Sequence, residues 1–322
     1  MPVEDPDPNP KADSTLSPDE AFATLGNETR VEILRTLGEE SGPLSFSTLF
    51  DRVEVDDSGQ FNYHLDKLVG HFVLGTDEGY TLRQAGRRVI EAVLSGAVTD
   101  APVVERTRID QPCHYCGADI EISVRQDRVV KYCTACPGRN ADPSTTLAGA
   151  VDEDGFLGTL PIPPAGVQNR SPVEVFEAAW TWANLEFLAE ASGVCSRCSA
   201  ALTESVTVCE AHDAANGLCD RCENRHAVQF HADCPNCIND LHGPFVLKLV
   251  SRTELLAFLT SRGRNPVAPS RGSIAAVDRV HMDYDEAVLS TDPFEARFTF
   301  SADADTLTLT VDDSLDVVDV ER

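Results

Sequence analysis

A chain of 322 residues is too long for one small domain and predicts two or three. It holds no run of about eighteen apolar residues, which excludes a transmembrane helix, and its Asp- and Pro-rich start, Met1 to Thr15, lacks the apolar stretch of a signal peptide, so a cytoplasmic protein without membrane contact is expected. Fifty-three acidic residues face twenty-six basic ones, of which only Lys11, Lys67, Lys131 and Lys248 are lysines, and the acid is spread along the whole chain.

That charge reads either as an ordinary acidic protein or as an adaptation to near-saturating salt. In such salt dense carboxylates hold water and hydrated cations, and self-repulsion is screened within a few ångströms. The even spread of acid favours the second reading. Acidity argues against nucleic-acid binding. In concentrated salt, however, counterion release contributes little, and binding would rest on hydrogen bonds, shape and local basic residues.

Residues 1–16 read as a disordered acidic tail. Ser17-Pro18-Asp19-Glu20 is a capping box that opens a short helix through Leu25. Gly26-Asn27 breaks it, and Asn27 can cap a second helix to about Leu37, with Val31, Ile33, Leu34 and Leu37 on its apolar side. A third helix is expected over about Ser45 to Val53, and a fourth from Asp57 to about His71. Phe72 to Leu82 reads as a hairpin turned at Asp77-Glu78-Gly79, and Gln84 to Leu94 as a closing helix. In the fourth helix Phe61, Leu65, Leu68 and Val69 fall on one apolar face. Gln60, Tyr63, His64 and Lys67 fall on another, with Ser58 and Asn62 beside them. Gln and Asn can read adenine edges, Ser and Tyr can bond phosphates or bases, and Lys67 suits a phosphate.

Two segments, AFATLGNETRVEILRTL at 21–37 and FNYHLDKL at 61–68, resemble the ArsR-type winged helix-turn-helix regulators, in particular the branch found in halophilic archaea with appended cysteine modules. The resemblance covers about a quarter of the chain closely. It implies a homodimer built on the first and last helices, two recognition helices in successive major grooves of an operator, and Gln60, Asn62 and Tyr63 facing double-stranded DNA. It also implies a wing near Asp77–Gly79 on the DNA backbone. The acidic wing tip departs from the pattern, and Arg83, Arg87 and Arg88 just after it can serve instead or simply face solvent. Metalloid-sensing members carry Cys-x-Cys in the third helix. Here that helix reads FSTLFDRV, so no soft-metal sensing is expected there.

From Asp110 onward the chain changes character. Ten of its eleven cysteines form Cys-x-x-Cys pairs: Cys113/Cys116, Cys133/Cys136, Cys195/Cys198, Cys219/Cys222 and Cys234/Cys237. The eleventh, Cys209, stands in Cys-x-x-His with His212. Twelve ligands suffice for three tetrahedral sites, and four N/S donors in a closed shell suit Zn²⁺, about three per chain and structural in role. Cys113, Cys116, Cys133 and Cys136 bracket a predicted hairpin, Ile120–Val124 and Val129-Val130 turned at Gln126-Asp127, and form a zinc ribbon. The second block is expected to pair sequentially, Cys195, Cys198, Cys209 and His212, then Cys219, Cys222, Cys234 and Cys237, with an interleaved cross-brace as the alternative. His226 or His231 could replace His212. A cytoplasmic location argues against disulfides.

Between the blocks a short apolar stretch, Phe156–Ile162, precedes a second capping box at Ser171–Glu174, which opens a helix through about Ala191. Ser251 and Glu254 are expected to cap a helix over Thr253 to Ser261. Ala296–Ser301 and Thr306–Val311 alternate as a strand pair turned at Asp303–Asp305. The expected fold is multidomain α+β: a tail (1–16), a winged helix-turn-helix (17–100), a zinc ribbon (108–140), a loop and helix (141–193), a double zinc module (194–240) and a small C-terminal α+β region (241–322).

The leading functional expectation is a transcription regulator whose zinc modules act as structural, effector or protein-partner domain. The alternatives are a zinc-organised interaction module without DNA binding, and a redox- or zinc-responsive regulator. No Gly-rich phosphate loop, Ser-His-Asp cue or open metal site points to an enzyme.

Overall fold

The computed structural model describes residues 16–138, 154–215, 217–266 and 274–322; the expected acidic tail lies outside them, except for Leu16. The protein is multidomain α+β, with two compact units, Met1–Asp100 and Ala101–Arg322. No helix of the described residues is long and apolar enough to cross a membrane.

In the first unit, α1 (Pro18–Leu25) starts at a reciprocal cap. The Glu20 carboxylate accepts from the Ser17 N–H at 2.9 Å, and the Glu20 N–H donates to Ser17 Oγ at 3.3 Å. Asn27, Ser45 and Asp57 cap α2 (Glu28–Gly38), α3 (Phe46–Arg52) and α4 (Ser58–Leu68) in the same side-chain-to-N3 manner. The α4 helix ends at Leu68, three residues before the expected end at His71, because Val69 is extended and Gly70 turns left-handed at φ +86°. β1 (Val73–Thr76) and β2 (Gly79–Leu82) form an antiparallel hairpin, followed by α5 (Gln84–Leu94). Leu44 bridges to Tyr80 alongside the hairpin. That contact needs a glycine at 79, where φ is +133° and a Cβ would stand 2.2 Å from the Leu44 carbonyl oxygen. Ile33, Leu34, Leu49, Phe61, Leu65 and Leu68 fill the core between these elements.

In the second unit, β3 (Val104–Pro112), β4 (Asp119–Arg125), β5 (Arg128–Cys133) and β6 (Phe156–Pro161) form one antiparallel sheet in that order. The β4–β5 turn places Gln126 and Asp127 at φ 50° and 56°, the twist that suits a two-residue hairpin. The apolar stretch at 156–162 is therefore a strand, paired with β5. Helix α6 (Pro172–Ala191) lies on this sheet through Val175, Phe176, Ala179, Trp180 and Ala183.

β7 (Thr203–Val208), β8 (Val228–Asp233) and β9 (Asp240–Pro244) make a three-stranded sheet, followed by α7 (Val246–Leu249), α8 (Thr253–Thr260) and α9 (Ile274–Met282). The N-cap of α8 is Arg252, without a side-chain cap, so Ser251 and Glu254 do not make the expected capping pair. A last antiparallel sheet runs β10 (Asp285–Thr291), β11 (Phe294–Ala302), β12 (Asp305–Val311) and β13 (Val317–Glu321). Phe230, Phe245, Leu255, Phe298 and Leu309 share one apolar cluster, so residues 194–240 and 241–322 bury their apolar faces together.

Helix α9 spans the two cores of this unit, with Val277 in one and Val280 in the other. Its His281 is 6 % exposed, and burial pushes the imidazole down from its ordinary 6.5 to about 4. The folded state therefore binds fewer protons than the unfolded one between these values. Stability should fall as pH drops below 6.5, with the loss complete near 4. The contribution approaches about 1.4 kcal/mol per pH unit. Urea titrations of wild type and His281→Leu across that window should show the shallower pH slope in the variant; equal slopes would place the proton uptake elsewhere.

Candidate metal centres and the surface of helix α4

Among the described residues three groups of four donors converge, with all ligand atoms in each within 4.8 Å of one another. The first is Cys113, Cys116, Cys133 and Cys136, as the ribbon reading expects. Its Sγ atoms stand 3.8 Å apart between Cys113 and Cys136 and 3.4 Å between Cys116 and Cys133. A disulfide would need about 2.0 Å. Four thiolates at about 2.3 Å from a common tetrahedral ion stand about 3.8 Å from each other. The separations therefore fit a shared metal.

The second block corrects the sequential pairing. Cys195 and Cys198 converge with Cys234 and Cys237, while Cys209, His212, Cys219 and Cys222 form their own group. The sites are nested, neither sequential nor cross-braced. The cause is the β7–β8 ladder, which pairs Thr203 with Asp233 at one end and Val208 with Val228 at the other. One end brings 195–201 to 234–239, and the other closes the loop 209–227. A six-residue strand is about 20 Å long, so the knuckle at 195–198 cannot reach the one at 209–212. At the outer site Cys195 and Cys237 stand 3.6 Å apart and Cys198 and Cys234 3.4 Å. Both of its knuckles hang on Glu190 at the end of α6, whose Oε1 accepts from Ser196 Oγ at 2.6 Å and from Asn239 Nδ2 at 2.7 Å.

The knuckles repeat one turn. Residues Gly117, Ser199 and Glu223, each just after a second cysteine, are left-handed at φ 78°, 62° and 55°. In each, the N–H of that residue donates to the carbonyl of the first cysteine. The turn also aims amides at sulfur. Burial opposes ionisation of Cys133, yet the N–H groups of Cys136 and Ala135 bring its thiol down to about 7. The Asn236 side chain and the Ala200 N–H bring Cys198 to about 6, and the N–H groups of Asp213, Arg221 and Cys222 do the same for Cys219. Each group thus holds one thiol disposed to ionise, as a metal site requires.

His212 joins the inner group through Nδ1, 3.5 Å from Cys222 Sγ. Its Nε2 lies 3.0 Å from the Arg225 carbonyl, which can only accept, so the proton sits on Nε2 and the Nδ1 lone pair is left for the metal. The two other candidates are engaged elsewhere. His226 Nε2 donates to the Met282 carbonyl at 3.0 Å, and the ring stacks on Tyr284. His231 Nε2 bonds Thr207 Oγ1 at 2.9 Å.

On α4, Ser58, Gln60, Asn62, Tyr63 and Lys67 are exposed, and Phe61, Leu65 and Leu68 are buried. Asn62 Nδ2 donates to Asp66 at 3.0 Å, and the Lys67 ammonium lies 5.6 Å from the centre of the Tyr63 ring. His64 does not belong to this surface. It is 8 % exposed, because positions 61, 64, 65 and 68 share one helical stripe, and burial pushes its imidazole down. Arg83 donates to the Gly70 carbonyl, Arg88 lies 3.7 Å from Glu91, and Arg87 is exposed.

Residues 18–93 match a family described as Domain of unknown function (DUF7347), and residues 110–317 match Domain of unknown function (DUF7351). No curated protein and no solved structure matches the chain. All twelve converging donors lie inside the second match, which spans more than half of the chain. The chain belongs to the family of Domain of unknown function (DUF7351).

Proposed function

We propose that this protein is a sequence-specific DNA-binding transcription regulator, with an ArsR-type winged helix-turn-helix in its first unit and three structural Zn²⁺ ions in its second. The observation that carries the DNA reading is the division of α4. One side is sealed into the core by Phe61, Leu65 and Leu68, and the other presents Gln60, Asn62, Tyr63 and Lys67 together. The order of three helices, α4, hairpin and closing helix supports it. Phe22 on α1 is 76 % exposed and Leu94 at the end of α5 is 56 % exposed. These supply the apolar surface on the first and last helices that a homodimer would cover.

Zinc is favoured by the donor sets, Cys₄, Cys₄ and Cys₃His, which close a tetrahedral shell with protein atoms alone. Such ions replace apolar cores that small loops cannot build. The test of the regulator reading is genomic occupancy of the tagged chain in its native host. Sharp promoter peaks sharing an inverted repeat are expected. A folded, metal-loaded protein without peaks would sink the DNA reading and favour a zinc-organised interaction module.

A further inference from the structure

The second unit holds a cavity of about 240 Å³, partly open to solvent, between β5, β6, α6, β9, α7 and α9. Its walls mix apolar residues, among them Leu157, Trp180, Phe187 and Leu247, with charged and polar ones, and Lys131 opens onto it. Lys131 sits on β5 in register with Ile122, on the same face as Val129 and Cys133. That is the face packed by α6, where every other position is a core position. Lys131 is only 8 % exposed, no hydrogen bond or ion pair holds its ammonium among the described residues, and that ammonium keeps some contact with solvent.

A lysine is almost never buried without a counter-charge, because desolvating an unpaired ammonium is costly. The same unit shows the ordinary solution. Lys248, 7 % exposed, donates to both carboxylate oxygens of Glu204 at 2.6 and 2.7 Å. Of the acids that line the cavity, Asp240 lies 4.0 Å from His242, and the other three have partners of their own. Glu186 pairs with Arg197 at 2.9 Å, Glu190 holds the two knuckles, and Asp278 accepts from Trp180 Nε1 at 2.7 Å. His281 also lines the cavity, and its buried Nε2 has no partner among the described residues.

We propose that this cavity binds a small aromatic monocarboxylate, its carboxylate paired with Lys131 and its ring among Trp180, Phe187 and Leu247. An apolar cavity of about 150 Å³ accepts benzene, so the volume here admits a ring with a short acid arm. The neighbouring carboxylates disfavour a dianion such as phosphate. Because the pair is buried, concentrated salt screens it little. The inference is independent of DNA binding.

The experiment titrates the full, metal-loaded chain in concentrated KCl with phenylacetate, following tryptophan emission and thermal midpoint. Saturable quenching and a rising midpoint are expected. The neutral analogue phenylacetamide, and the variant Lys131→Met with phenylacetate, should each bind about ten- to a hundred-fold more weakly. Without ligand, Lys131→Met should melt no lower than wild type, since an apolar isostere replaces a largely buried ammonium that has no counter-charge among the described residues. No saturation by phenylacetate overturns the proposal, as does equal affinity of variant and wild type. Equal binding of phenylacetamide, or a lower unliganded midpoint for Lys131→Met, also overturns it.

Discussion

Replacing Cys195 or Cys234 by serine should remove one and the same metal ion and unfold most of the second unit, whereas Cys209→Ser or Cys219→Ser should remove a different ion and loosen only the loop 209–227. The asymmetry follows from where the nested sites sit. The outer site joins the end of α6 to one end of the β7–β9 sheet through Glu190, next to the apolar cluster of Phe230 and Phe245. The inner site closes a loop at the far end of the β7–β8 ladder. A structural zinc in a small module contributes about 10–16 kcal/mol at neutral pH, against a typical whole-domain stability of about 5–15 kcal/mol. Loss of the outer ion should therefore exceed what the unit can withstand. Loss of the inner one falls on a segment whose exchange with solvent is local. Metal content by mass spectrometry, combined with double variants, separates the pairings. Cys195→Ser with Cys234→Ser should lose no more metal than either alone, and Cys195→Ser with Cys209→Ser should lose two ions. The reverse result would restore the sequential arrangement.

Much of this architecture is legible in the chain because local chemistry decides it. Ser17, Asn27, Asp57 and Ser171 mark helix starts through hydrogen bonds that span three residues. The Cys-x-x-Cys spacing likewise fixes the knuckles. What escapes the sequence is set by partners far along the chain. β3, β10 and β13 lie at the edges of their sheets, so their exposed faces carry charge and blur the alternation that betrays β11 and β12. Sequential pairing of the second cysteine block looks natural because neighbouring knuckles are close in number. The β7–β8 ladder overrides that by carrying the middle of the block away from its ends. His64 reads as surface by its polarity, although its spacing from Phe61 and Leu68 places it in the core stripe. Lys131 carried a signal of the same kind: a rare lysine at an inward position of an alternating strand, in IEISV–VVKYC. A polar residue type alone hides such positions, and the period exposes them.

If α4 is the reading helix, Gln60→Ala with Tyr63→Ala should abolish operator specificity while leaving the first unit folded. Both side chains are exposed, and neither appears among the apolar side chains that hold the core. Their loss should leave thermal stability within about 0.5 kcal/mol. A bidentate contact from Gln60 to an adenine is worth about 1–3 kcal/mol of discrimination, so the substitution should relax preference at one base pair of each half-site. Lys67→Ala should behave differently. A phosphate contact carries no sequence information, so affinity should fall about uniformly across sequences, with the salt slope smaller by about one. In a protein of net charge −27 this slope is informative in itself. Few cations are available to release counterions, so the wild-type slope should be shallow and most of the affinity should survive concentrated KCl. Fluorescence anisotropy on operator and scrambled duplexes over a KCl series measures all of these. Unchanged specificity in the double variant would move DNA contact off α4, and a steep wild-type slope would mean that basic residues outside this surface carry the binding.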